Sequence, residues 1–288
     1  GEQRRWRTDP RLPPLTRRLG TGRFALVDVD PGHCRADSRR ADRDGIQSPS
    51  ACFDDLYGTC GRGLGVGGSR ALAGWTARDA MILGTAGFTA GLALLRMLEN
   101  RQHPDLGPIA VTGATGGVGM LATALFAKAG FKVHALSGKP EHADLLRRLG
   151  AIEVLPRDTA LSGKPLDSIR FGVAVDSVGG HTLAGLLAQT VAYGNVASCG
   201  LVANAELSTT VMPFILRGVS LLGIASAGTE RLIRERVWAL LATHFSRPEL
   251  AALPVTEISM AGLPEVFGRM LAGHSFGRTV VKIHPNAC

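Results

Sequence analysis

The stretch Val111-Thr112-Gly113-Ala114-Thr115-Gly116-Gly117-Val118-Gly119 decides how this chain is read. It follows Pro108-Ile-Ala-Val-Thr112, which reads as a buried strand, and opens an apolar helix that runs to about Ala129. A glycine-rich loop between a strand and a helix is the setting of a dinucleotide fingerprint. Gly113 suits the tight turn. Gly116 lets backbone approach a pyrophosphate, and Gly119 lets the helix lie close on the sheet. Unpaired amides at the helix start then face the anion. Gly113, Thr115, Gly116, Gly117 and Val118 are the expected cofactor contacts.

Similar units lie on either side. Thr76-x-x-Asp79 has the form of an N-cap with an acidic residue three positions on. An apolar helical pattern follows from Asp79 to Glu99, with Gly84, Gly87 and Gly91 as its weak points. Further strands are expected at residues 131–136, 151–155, 171–175, 194–199, 219–224 and 278–283. Helices are expected at residues 140–149, 181–191 and 232–244, with Gly150 closing the first of these. Strands alternating with helices imply an α/β fold, a Rossmann-like doubly wound parallel sheet covered on both faces.

Composition divides the chain. It has 288 residues, 45% hydrophobic and 19% charged, with a formal net charge of +8. At about 150 residues per domain this allows one large domain or two. Residues 1–74 hold 13 Arg and no Lys, and only 24 of those 74 residues are apolar. Beyond residue 74 about half are apolar. In the first part only residues 23–30 read as a strand. Residues 58–68 hold six Gly and read as loop. Asp37, Asp42 and Asp44 interrupt the Arg cluster at residues 35–43, so a solvated stretch is expected there rather than a nucleic-acid arm. No run of about 18 apolar residues is seen, and the start lacks the apolar core of a signal peptide, so no membrane span and a cytoplasmic setting are expected. The start also lacks Met, which is read as a fragment or a processed end. His33, Cys34, Cys52 and Cys60 lack the spacing of a zinc site, and Cys199 lies in an apolar run.

The cofactor type is read at the end of the second strand, where an NAD site places Asp or Glu for the ribose 2′-hydroxyl. Here stand Leu136-Ser137-Gly138-Lys139, with Arg157 after the next strand. A hydroxyl and two cations suit a 2′-phosphate, so NADP(H) is expected over NAD(H).

The loop also fits the short-chain dehydrogenase pattern, which needs a Tyr followed four residues later by Lys. Tyr57 and Tyr193 are followed at that spacing by Gly61 and Ala197. The arrangement instead resembles the medium-chain dehydrogenase/reductase superfamily, in its zinc-free quinone-oxidoreductase branch, and within it the YhdH/YhfP-type acryloyl-CoA reductases. Carrying the resemblance are Ala80-Met-Ile-Leu-Gly-Thr-Ala-Gly-Phe-Thr-Ala90, the loop at 111–119, Ser137-Gly-Lys139, Val154-Leu-Pro-Arg-Asp158, Ala174-Val-Asp-Ser-Val-Gly179, Ser198-Cys-Gly-Leu201, Thr209-Thr-Val-Met-Pro-Phe-Ile-Leu-Arg217 and Gly277-Arg-Thr-Val-Val-Lys-Ile283. The resemblance covers roughly residues 75–284.

It implies NADPH-dependent reduction of a conjugated double bond in a small-molecule acyl-CoA thioester, an enone or a quinone, without metal, by a homodimer. It places Thr85 near the nicotinamide, and Asp176, Ser177, Cys199, Gly200 and Leu201 along the cofactor. No catalytic acid or base is assigned. His181, His244, His274 and His284 qualify by residue type alone.

The expected domains are 1–74, an incomplete or aberrant remnant of a GroES-like domain; 75–250, the NADP-binding domain; and 251–288, a segment returning to the first. Residues 1–74 lack the family's Asn-Tyr-Lys-Asp segment. Their Arg/Gly/Ser/Pro bias without Lys is what out-of-frame reading of GC-rich DNA gives. A frameshifted or truncated start is therefore expected. The competing readings are an NADPH-binding remnant without turnover and, weakest, a nucleic-acid-binding protein.

Overall fold

The structure is a computed structural model and describes residues 75–282. The strand at 23–30, the Arg cluster at 35–43, the glycine-rich loop at 58–68, the His33/Cys34/Cys52/Cys60 question and His284 lie outside the described residues.

A six-stranded parallel sheet forms the centre. Its strands are β1 (Ile109–Val111), β2 (Val133–Ser137), β3 (Ala151–Pro156), β4 (Phe171–Asp176), β5 (Thr190–Ser198) and β6 (Ser220–Gly223), in the spatial order β3-β2-β1-β4-β5-β6. Every neighbouring pair is parallel. This is the Rossmann order, with its switch point between β1 and β4.

Parallel strands need cover on both faces, and alternate side chains supply it. Val111, Val133, Val173, Val175 and Ala197 join one core with α1 (Ala77–Glu99), α2 (Gly117–Lys128) and α6 (Arg231–His244). Ala110, Leu136, Ala174 and Val196 join a second core with Leu183, Leu186 and Leu187 of α4 (Gly180–Gln189). The described residues are thus a doubly wound α/β unit, as expected.

Thr76 caps α1 with the capping box read from the sequence: its side chain accepts from the Asp79 amide, and Asp79 accepts from the Thr76 amide at 2.9 Å. Gly84 breaks the helix at φ 49, ψ −151. At Gly91 a Cβ would stand 2.9 Å from Val237, so the missing side chain is what lets α6 pack this closely. By length and composition residues 78–99 could cross a bilayer, yet 78% of that window is buried inside the protein. Gly84, Thr85, Thr89 and Arg96 interrupt the apolar run, which is why no span is expected from the sequence.

Several boundaries differ from expectation. The second strand starts at Val133 because Phe131 turns into the core, its ring 5.3 Å from Phe126. The expected helix at 140–149 is a 3-10 turn (Pro140–His142) followed by α3 (Ala143–Arg148). Short helices α5 (Met212–Arg217) and α7 (Arg247–Ala251) were not foreseen. Nor were β7 (Val255–Ser259) and α8 (Leu263–Leu271). The final strand, β8 (Arg278–Lys282), pairs in parallel with β7 in a separate two-stranded sheet. Arg278 ties this sheet to α1, its Nε donating at 2.7 Å to the Ile82 carbonyl just before the Gly84 break.

Candidate functional site

The site lies along the carboxyl ends of β1, β2, β4 and β5, where ligands bind in open α/β sheets. The loop after β1 is fixed from both sides. The Thr112 amide donates to the Val175 carbonyl at 3.0 Å and the Ala114 amide to the Leu136 carbonyl at 3.2 Å. Gly113 turns the chain at φ 57, and a Cβ there would lie 2.6 Å from Ser177 Oγ. A Cβ on Gly119 would lie 2.3 Å from the Gly113 carbonyl oxygen, so the first turn of α2 presses directly on the loop. Gly116 is the N-cap of α2 and no side chain caps that end. The helix start is therefore suited to an anion. Thr115 is buried, while Gly116, Gly117 and Val118 are half-buried.

At the end of β2, Ser137 Oγ accepts the Lys139 amide at 3.0 Å. Arg157, exposed after β3, lies over the backbone of Gly138; a Cβ there would stand 3.1 Å from its Cδ. Lys139 Nζ donates to the Ser275 carbonyl at 2.6 Å. A hydroxyl, a cationic side chain over Gly138 and a second one turned to Ser275 thus stand at the strand end.

Asp176 ends β4 with its carboxylate turned inward and fully buried. Its Oδ1 accepts from the Thr112 hydroxyl at 2.7 Å and the Val178 amide at 3.3 Å; its Oδ2 accepts from the Gly179 amide at 2.8 Å. Burial pushes its carboxyl above the usual carboxylate range against the pull of those bonds. Any stability cost of ionising it appears as the pH rises through that raised value. Thr112 also accepts the Ser177 amide at 3.1 Å, and Ser177 Oγ donates to the Thr112 carbonyl at 3.1 Å. Asp176 and Ser177 therefore brace the loop.

Cys199 and Gly200 follow β5 and lie against the β4 end. Cys199 Sγ donates to the Asp176 carbonyl at 3.2 Å, and a Cβ on Gly200 would meet the Ser177 carbonyl at 2.3 Å. Burial pushes the Cys199 thiol up to about 12, so it is protonated at neutral pH. These residues, with exposed Leu201 and with Leu183, Asn204 and Leu207, line a cavity of about 270 Å³. Thr85 is exposed one residue past the α1 break.

Neither His181, His244 nor His274 lines that cavity. His181 and His274 are exposed, and His244 Nδ1 lies 2.8 Å from the Leu240 carbonyl of its own helix. Among the described residues no group of three or more His, Cys, Asp or Glu side chains could hold a metal.

Two site features escaped the sequence reading. Arg278 reaches α2 from the far end of the chain: a Cβ on Gly117 would stand 2.7 Å from its terminal nitrogen. Asn204 and Leu207 enter the cavity wall because the chain after β5 doubles back, with the Ala203 amide donating to the Val178 carbonyl at 2.8 Å. Neither feature has a local sequence signal.

Comparison with known proteins adds a family context. Residues 117–243 match the family model of the zinc-binding dehydrogenases. The acrylyl-CoA reductase AcuI of Ruegeria pomeroyi is 41% identical over 213 residues, 73% of this chain and 64% of its own length. The crystal structure of the yhdH oxidoreductase from Salmonella enterica in complex with NADP superposes with a TM-score of 0.71 at 42% identity, covering 74% of this chain and 65% of that one. That of Bacillus subtilis yhfP with NAD bound gives 0.69 at 41%, covering 72% and 64%. The chain thus spans less than two thirds of the length of these relatives.

Proposed function

We propose that the described residues form a coenzyme domain of the medium-chain dehydrogenase/reductase superfamily, of the YhdH/YhfP type, and that the chain binds NADPH and reduces the conjugated double bond of an enoyl thioester such as acryloyl-CoA. The observation that carries this reading is the grouping of Ser137, Lys139 and Arg157 at the end of β2, with the Lys139 amide on Ser137 Oγ and the Arg157 side chain over Gly138. No carboxylate stands where an NAD site needs one, beside a glycine loop leading into an uncapped helix start.

The amides of residues 115–118 would hold the pyrophosphate, with the guanidinium of Arg278 beside Gly117. Ser137, Lys139 and Arg157 would hold the 2′-phosphate. When bound, NADPH would supply a hydride for the β-carbon of the substrate, with a proton added at the α-carbon. The chain contributes positioning and exclusion of water. Thr112 and Asp176 hold the loop, while Gly200 and Leu201 wall the cofactor. Cys199 stays a neutral thiol there and takes no part as a nucleophile. A homodimer belongs to the same proposal. Support comes from the exposed apolar side chains Val211, Met212, Ile215 and Leu216, which lead into the edge strand β6, with Leu221 exposed on β6 itself.

The test has two parts. Fluorescence titration should give tighter binding of NADPH than of NADH. Lys139→Ala should weaken NADPH about 10-fold, the size of one lost charge-assisted bond, and leave NADH within about twofold. NADPH oxidation with acryloyl-CoA then reads the reaction. Binding without turnover would support the remnant reading, and equal affinity for the two coenzymes would sink the choice of NADPH.

A further inference from the structure

Residues 272–277 run from the end of α8 to the start of β8. Both ends are turned by glycines, Gly273 at φ 73 and Gly277 at φ 70. The α8 end is held by its last turn, the His274 amide donating to the Arg269 carbonyl at 2.9 Å; the β8 end is held by the Arg278 amide on the Pro254 carbonyl at 2.8 Å. Between these anchors two contacts reach one short piece of chain, the segment after β2. Lys139 Nζ donates to the Ser275 carbonyl at 2.6 Å. The Phe276 ring stacks on His142, with centroids 3.7 Å apart and planes 17° apart. Pro140–His142 is the 3-10 turn directly beyond Ser137, Gly138 and Lys139.

The cation expected to meet a ribose phosphate is therefore the cation that holds this strap. An ammonium has three N–H donors. The Ser275 carbonyl takes one, which leaves two for phosphate oxygens. A phosphate on Lys139 fixes its Nζ and so fixes the carbonyl attached to it.

We propose that residues 273–277 form the outer wall of the adenosine-phosphate subsite, with Phe276 as a positioning residue that makes the wall close on ligands carrying a ribose 2′-phosphate. This rests on the NADPH reading above, but it assigns the selectivity to a segment far along the chain from the dinucleotide loop. Ser275 acts through its backbone. Phe276 acts through His142, which keeps the Pro140–His142 turn, and with it Lys139, in register with the strap.

The test uses the whole chain and two probes, adenosine 2′,5′-bisphosphate and 5′-AMP, which differ by the 2′-phosphate alone. Hydrogen exchange of residues 272–278 should slow at least about fivefold with the bisphosphate and stay unchanged with AMP. Phe276→Ala should weaken the bisphosphate about fivefold, the scale of one lost aromatic contact, and AMP less than twofold. Its thermal midpoint should not move, because Phe276 is partly exposed. Phe276→Tyr, which can still stack, should restore the wild-type value. Binding of the bisphosphate with no change in exchange would overturn the wall, as would equal weakening of both probes. Failure of the wild-type chain to bind the bisphosphate at all would overturn the NADPH reading, and the wall with it.

Discussion

All six residues of β4 are buried, Phe171 through Asp176, whereas β7 has none buried and β8 only Val280. Both sheets are parallel. The six-stranded sheet carries helices on each face and both cores. The two-stranded sheet leans on it through Val280, which joins the main core, and Val255, which packs against it, through the Arg278 bonds to α1, and through an ion pair between Arg78 and Glu257 at 2.5 Å. Its flanking helix α8 leaves Phe267, Met270 and Leu271 exposed. A parallel sheet is stable where both faces are covered, so the first region holds itself together, while the second depends on the contacts that Val280, Val255 and Arg278 make with it.

This contrast can be broken by substitution. Gly119→Val forces side-chain atoms into the Gly113 carbonyl, so it should cost about 3 kcal/mol by urea unfolding and abolish NADPH binding. Val175→Ala in β4 should cost about 2 kcal/mol, against about 0.5 kcal/mol for Val280→Ala in β8, since the empty space costs most where nothing can collapse into it. Equal costs would show that Val280, at the edge of the main core, is held there as firmly as Val175 at its centre.

Arg278→Ala should leave the urea midpoint within about 0.5 kcal/mol while exchange of the β7 and β8 amides rises about tenfold, because opening there is local. Full co-operative unfolding of both sheets in that variant would erase the distinction.

The smallest effect concerns the clamp between Lys128 of α2 and Glu249 of α7, where the second region begins. The hydrogen bond from Lys128 holds the Glu249 carboxyl down at about 2. A lowered acid contributes stability above its ordinary value of about 4.5 and loses it as the pH falls towards 2. The pair is largely exposed, so Glu249→Gln should remove less than about 1 kcal/mol at neutral pH, and progressively less as the pH falls from about 4.5 towards 2. Thermal melts at pH 7 and pH 2.5 check it.

The same contrast explains what could be read in the sequence. β1, the glycine loop and α2 were legible because apolar runs and glycine spacing are local. The Ser137–Lys139 pair was legible because it follows a strand whose end is easy to place. In β7 only Val255 and Ile258 are apolar, and its partner β8 is remote, so it left no periodic signal. The helix α5 is six residues long, too short for a helical period to show, although Pro213 stands in its first turn. Arg278 beside Gly117 and Ser275 on Lys139 were invisible for a related reason: each is a contact between segments that only the folded chain brings together.

The helix α1 has a consequence for how the protein is made. It precedes all six strands of the central sheet in the chain. At about ten residues per second, ribosomes need on the order of ten seconds to go from the end of α1 to the end of β6. Through that interval the longest helix of the described residues waits for the whole of its cover. The nascent chain therefore carries an exposed apolar segment at first, and α2 and β1, the next elements made, are the first that can begin to cover it.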